Sequence, residues 1–186
     1  MGLFALFRRK PHERTGFALY TAAVATARSP FLFEGIGVPD TLDGRFDLIN
    51  LHVALLVRRL RADPDPRGAA LAQAVFDAMF ADMDLNLREM GVSDMVVGKR
   101  VKRMWEAFHG RAIAYEEALD ARDAAALAQA LARNVWRGAT PGTAPTASAE
   151  RLAAIVLAQD RALAAQPFAS LLAGKPAFLA ETELPA

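Results

Sequence analysis

Asp82 and Asp84 are the residues whose type and spacing come nearest to metal or diphosphate chemistry. They stand two apart in VFDAMFADMDLNLREM, residues 75–90, where apolar residues recur at helical spacing. A helix turns about 100° per residue, so the two carboxylates point about 200° apart and cannot share one ion. Asp77, Asp84 and Arg88 fall on one shoulder of the apolar stripe, and Asp82, Asn86 and Glu89 on the other. Asp84 and Arg88 form an i,i+4 pair worth about 0.3–0.5 kcal/mol if exposed. A helical enzyme for an isoprenoid or quinone-like substrate would need such carboxylates to face each other across a cavity, and the split argues against it. His12, His52 and His109 are too widely spaced to supply ligands or a Ser/His/Asp arrangement. His52, at the edge of an apolar stripe, reads as a hydrogen-bonded core residue. The chain has no cysteine, which excludes disulfides and thiolate metal sites. No GxxxxGK[ST] loop is present for nucleotide hydrolysis. The expectation is a binding protein with no catalytic residue, no metal and no cofactor.

What remains is charge suited to contact. Lys99, Arg100, Lys102 and Arg103 lie on a second amphipathic helix whose apolar stripe is Val97, Val101, Met104, Trp105 and Phe108. Basic amphipathic helices suit anionic lipid or an acidic partner. The candidate partner-binding residues are Asp82, Asp84, Arg88, Glu89, Asp94, Lys99, Arg100, Lys102, Arg103 and Arg111. Gly98 costs this helix about 1 kcal/mol relative to alanine, which suggests close approach of another backbone, from the core or from a bound segment. At the start of the chain, Leu3, Phe4 and Phe7 precede Arg8, Arg9 and Lys10. These are the candidate membrane-contact residues, with about 1 kcal/mol of attraction per basic residue near an anionic leaflet; a disordered start or packing on the domain is the alternative. The apolar-then-basic order is the reverse of a secretory signal, so the segment reads as retained.

Helices must position these groups. Residues 13–28 read as a first helix ended by Ser29-Pro30. Gly35, Gly37, Pro39 and Gly44 make 34–44 a loop. Residues 45–61 are apolar nearly all round, as a central buried helix is. DPDPRG at 63–68 is a turn before a helix at 68–90, and Gly91 occupies the position of a C′ glycine. Ser93 or Asp94 caps the next helix, and Gly110 closes it. Residues 111–121 and 123–136 read as a further helix or pair. The fold class is all-α, a single compact helical domain of about six to eight helices. A flexible apolar and basic arm spans 1–12 and the helical domain 13–137. GATPGTAPTA lies in a 138–147 linker, 148–173 forms a C-terminal helix packed on the domain, and 174–186 is a loose tail.

Composition agrees with a folded helical protein: 53% of the 186 residues are hydrophobic and 23% charged. Lys+Arg is 22 against 21 Asp+Glu, without the basic excess of a nucleic-acid binder, so no specific nucleic acid is expected. No apolar run reaches the ~18 residues needed to span a bilayer.

Three ordered motifs carry a resemblance. They are GVPDT…GRF…LH from Gly37 to His52, DxD…LRExGVxD…VxK from Asp82 to Lys99, and FxGR…AY…AL from Phe108 to Leu119. Over roughly residues 30–120 the chain resembles the ubiquinol–cytochrome c chaperone family, whose members are assembly factors of the cytochrome bc1 complex. The resemblance implies an all-helical chaperone that binds newly made cytochrome b. The mitochondrial members act with a small partner protein and associate with ribosomes near the tunnel exit. This chain lacks their long targeting extension, so the resemblance implies a bacterial member, peripheral at the cytoplasmic face of the inner membrane. Cytochrome b would be the client, held without ATP. An exposed apolar groove rimmed by charge is then expected near the 68–110 helical pair. The alternative is a membrane-surface adaptor that holds no client.

Overall fold

The computed structural model describes residues 12–137 and 146–185. Among them are eight α-helices and no strand: α1 Glu13–Ala27, α2 Pro30–Glu34, α3 Leu42–Arg61, α4 Arg67–Glu89, α5 Asp94–Asp120, α6 Ala124–Val135, α7 Thr146–Ala165 and α8 Phe168–Leu172. Leu3, Phe4, Phe7, Arg8, Arg9 and Lys10 lie outside the described residues, as does most of the expected linker.

α3 is the central helix. Its Leu48, Leu51, Leu56 and Leu60 are fully buried, each stabilising the fold by about 1.5–3 kcal/mol. The helix begins earlier than its apolar run suggests, because the Thr41 hydroxyl accepts the Gly44 N–H at 3.1 Å and caps it. α1 and α4 make the most extensive helix–helix contact. Gly16 permits it: a Cβ there would sit 2.6 Å from the Ala74 carbonyl carbon. At the far end of α3, Arg59 donates to the Leu163 and Gln166 carbonyls at 2.8 and 2.9 Å. It thereby binds carbonyls at and just beyond the end of α7, where a helix C-terminus leaves acceptor capacity and carries a partial negative charge. Arg58 reaches Asp120 at 2.7 Å and Asp160 at 3.2 Å, tying α3 to α5 and α7.

The structure corrects the sequence reading in three places. α5 does not stop at Gly110 but continues to Asp120, because Arg111, Tyr115, Ala118 and Leu119 keep a buried stripe running against the body. Within α5, Gly98 meets no atom where a Cβ would stand, so none of the described backbone approaches it closely. The tail is held instead of loose. Gln159 donates to the Leu179 carbonyl at 3.2 Å and accepts its N–H at 2.7 Å. Gln166 pairs in the same way with the Lys175 carbonyl at 2.5 Å and the Ala177 N–H at 2.8 Å. Between them the Phe178 ring packs edge-on against His52.

Candidate functional site

α4 and α5 form an antiparallel hairpin turned at Gly91, whose φ of 81° suits glycine. Near the body the hairpin is well packed. Towards its tip the core thins out: from Arg88 to Ala107 the one fully buried residue is Val97. The gap between the hairpin and α3 is an open groove of about 500 Å³. Its apolar surface comes from Phe46 and Ile49 of α3, Met83 and Leu87 of α4, Met90 just beyond it, and Met104 of α5. Most of these belong to the stripes that the sequence places in a core. They line a groove where the packing thins towards the hairpin tip, with Met90 exposed and Met104 half-buried. The methionines give this surface side chains that adapt to irregular apolar shapes.

The rim is rich in arginine. Arg28, Arg45, Arg100, Arg103, Arg111 and Arg137 line the groove, against the carboxylates of Asp43 and Asp82. Arg45 is held by Asp40 at 2.5 Å, and Arg137 by Asp43 at 3.2 Å. Arg28, Arg100 and Arg103 have no carboxylate partner among the described residues. Below the rim, Arg111 pairs at 2.9 Å with Asp47, which is 1% exposed. Arg137 stands 3.4 Å from the same carboxylate. Burial pushes the Asp47 carboxyl up to about 6, against the opposing pull of Arg111 and Arg137. This pair locks α5 to α3 under the groove. Asp47 escaped the sequence reading, although an acid within a run as apolar as FDLINLHVALL has to find a buried partner.

The ten sequence-predicted contact residues do not form one patch. Asp82 lines the groove and accepts a 2.6 Å hydrogen bond from the Tyr20 hydroxyl. Burial and this carboxylate together raise the Tyr20 pKa. Arg88 bridges Asp84 at 2.6 Å and Asp94, stapling α4 to the start of α5; these three brace the turn. Arg100, Arg103 and Arg111 face the groove, with Arg111 mostly buried in its ion pair. Glu89, Lys99 and Lys102 are exposed and do not line it; Lys102 stands 3.8 Å from Glu106. Sequence reasoning missed Arg28, Arg45 and Arg137, which come to the rim from distant elements. His52 donates from Nδ1 to the Leu48 carbonyl at 2.8 Å, and burial lowers its pKa to about 4. Its ring is enclosed by the core and the tail, on α3 away from the groove. Among the described residues, no three His, Asp or Glu side chains gather as a metal site.

Comparison with known proteins agrees with this architecture. The chain is 35% identical to the Cbp3 homolog from Brucella abortus, whose crystal structure superposes with a TM-score of 0.82 over 99% of this chain and 100% of that one. It is 26% identical over 119 residues to ubiquinol-cytochrome-c reductase complex assembly factor 1 of Xenopus laevis, covering 64% of this chain and 56% of that protein. It is 32% identical over 110 residues to the mitochondrial protein CBP3 of Saccharomyces cerevisiae, covering 58% of this chain and 32% of that protein. The matched region thus spans about half or less of these two relatives. The family model for the ubiquinol-cytochrome C chaperone matches residues 34–178, from the end of α2 to the Phe178 anchor of the tail. With most of the chain inside that match, the protein belongs to the ubiquinol–cytochrome c chaperone family.

Proposed function

We propose that this chain is an assembly chaperone for ubiquinol–cytochrome c reductase that holds a segment of newly made cytochrome b in the groove between α3 and the α4–α5 hairpin. Family membership and the Xenopus relative's name support the assembly role. The observation that carries the client site is the open apolar groove, with Arg28, Arg100 and Arg103 unpaired on its rim. Cytochrome b helices are apolar and would aggregate before they pack. A short apolar segment lying on Met83, Leu87, Met90 and Met104 would be shielded from water. Acidic or carbonyl groups flanking it would meet the free arginines, which set its direction. Holding of this kind uses binding energy alone, and release follows when cofactor insertion or the next subunit competes for the segment. No helix among the described residues is long and apolar enough to cross a membrane.

The test is affinity capture with tagged protein from mildly solubilised membranes, read by mass spectrometry. Cytochrome b should be enriched with the natural sequence and fall about tenfold or more in an Arg100→Glu/Arg103→Glu double variant, since two favourable rim charges become repulsive. Undiminished recovery in that variant would remove the groove rim from client binding. Recovery of no reductase component at any growth stage would favour a membrane-surface adaptor.

A further inference from the structure

Six of the eight large apolar side chains exposed among the described residues fall between Leu85 and Ile113: Leu85, Met90, Met95, Val96, Trp105 and Ile113. Surface apolar residues scattered singly need no explanation, but this concentration does. On α5, at about 100° per residue, Met95, Lys99, Lys102, Glu106 and Ile113 share one outward strip, which is basic towards the hairpin tip and carries Glu117 and Asp120 at its far end. Val96 flanks it on one side and Trp105 on the other, where Trp105 lines a second groove with Val57 and Phe76 and its ring lies 4.3 Å from that of His109; the buried Val97, Phe108 and Tyr115 lie opposite the strip. Met95 is 88% exposed. Lys99 has no carboxylate partner among the described residues, and Lys102 has only the long, solvent-screened contact with Glu106. Asp84 and Asp94 near the tip are both engaged by Arg88. Gly98 and Gly110 leave the exposed helix with open space beside its backbone. At the tip end of α5, exposed apolar side chains and flexible lysines on one face, with a half-exposed tryptophan at its edge, are the elements of an interfacial helix, whose cations reach headgroups while its apolar groups enter the acyl boundary.

We infer that the outward face of α5 is a docking surface for an anionic lipid bilayer, entered first by Met95 and Val96. The inference deepens the membrane-surface reading above, yet it stands apart from the client groove, because Met95, Lys99 and Lys102 do not line that groove. Trp105 provides a local reporter, since the other tryptophan, Trp136, is buried and donates to the Gly37 carbonyl at 3.0 Å. The full chain is titrated with vesicles of phosphatidylcholine alone and of phosphatidylcholine mixed with phosphatidylglycerol, and a Trp105→Phe variant supplies the baseline. Trp105 emission should shift to the blue with the anionic vesicles only, and the shift should weaken with added salt. In Lys99→Glu/Lys102→Glu the partition coefficient should fall about tenfold or more, with an unchanged circular dichroism spectrum and unchanged cytochrome b capture. No blue shift with either vesicle would overturn the inference and leave the face to a protein partner. Flotation with the vesicles without a Trp105 shift would also overturn it, by placing lipid contact elsewhere on the chain. A shift unaffected by the double charge reversal would overturn it too.

Discussion

The α1–α3–α7 body and the outer half of the α4–α5 hairpin use apolar residues in opposite ways. In the body, Leu19, Leu48, Leu51, Leu56 and Leu152 are fully enclosed, and Gly16 lets α1 lie against the α4 backbone. In the hairpin, Met90, Met95 and Trp105 reach solvent, and Gly98 touches nothing. Both regions are helical and both carry apolar stripes at helical spacing. The difference lies in how many neighbours each helix has: α3 is surrounded, whereas the tip of α5 has α4 on one side only. Apolar surface that folding does not cover remains available for binding. The body therefore supplies stability, and the proposed contact surfaces lie on the hairpin, with the Asp47–Arg111 pair at the joint between the two.

The sharpest way to break that division is at the joint. Arg111→Ala leaves the Asp47 carboxylate buried without its closest partner and should cost about 3–5 kcal/mol in urea unfolding. Arg100→Ala on the exposed rim should change stability by less than about 0.5 kcal/mol. Equal losses would mean that the rim is structural as well. The body can be tested next through His52. Its folded pKa of about 4 lies below the ordinary 6.5, so the unfolded chain binds the proton more readily between those values. The stability it contributes is present above pH 6.5 and is lost as pH falls through 4, about 3 kcal/mol in all. Asp47 acts in the opposite direction: its raised folded pKa adds stability below the ordinary carboxylate range that is lost as pH rises through about 6. Comparison with His52→Gln separates the two, and the variant should lose the histidine's acid-side slope. An identical pH profile would show that the imidazole is hydrated in the folded state. Effects of about 1–3 kcal/mol come from the glycines. Gly16→Ala pushes a methyl group into the Ala74 backbone and should destabilise the fold by about 1–3 kcal/mol. Gly98→Ala should stabilise it by about 1 kcal/mol through helix propensity. A destabilising Gly98→Ala would reveal a close packing that the hairpin does not show.

Much of the architecture was legible in local pattern. The 3.6-residue recurrence from Phe46 to Leu60 and from Phe76 to Met90 marked two helices, and Gly91 marked the turn between them. Gly110 misled because a helix-breaking preference of about 1 kcal/mol is outweighed when Arg111, Tyr115 and Leu119 bury a further stripe. The candidate site was legible only in part. Met83, Leu87, Met90 and Met104 all read as core positions; Met83 and Leu87 are buried as read, while Met104 is half-buried and Met90 exposed, because periodicity reports the face a helix turns towards its neighbours and not how closely those neighbours approach.

By itself the sequence determined the helical class, the central place of α3, the hairpin turn and the family resemblance, because each rests on residues close together in the chain or on ordered motifs. Tertiary structure alone decided which charges matter where. It placed Arg28, Arg45 and Arg137 beside Arg100 and Arg103, buried Arg111 on Asp47, assigned Arg88 to bracing the turn, and held the tail through Gln159 and Gln166. These outcomes depend on distances between side chains of different helices, which helical periodicity leaves free.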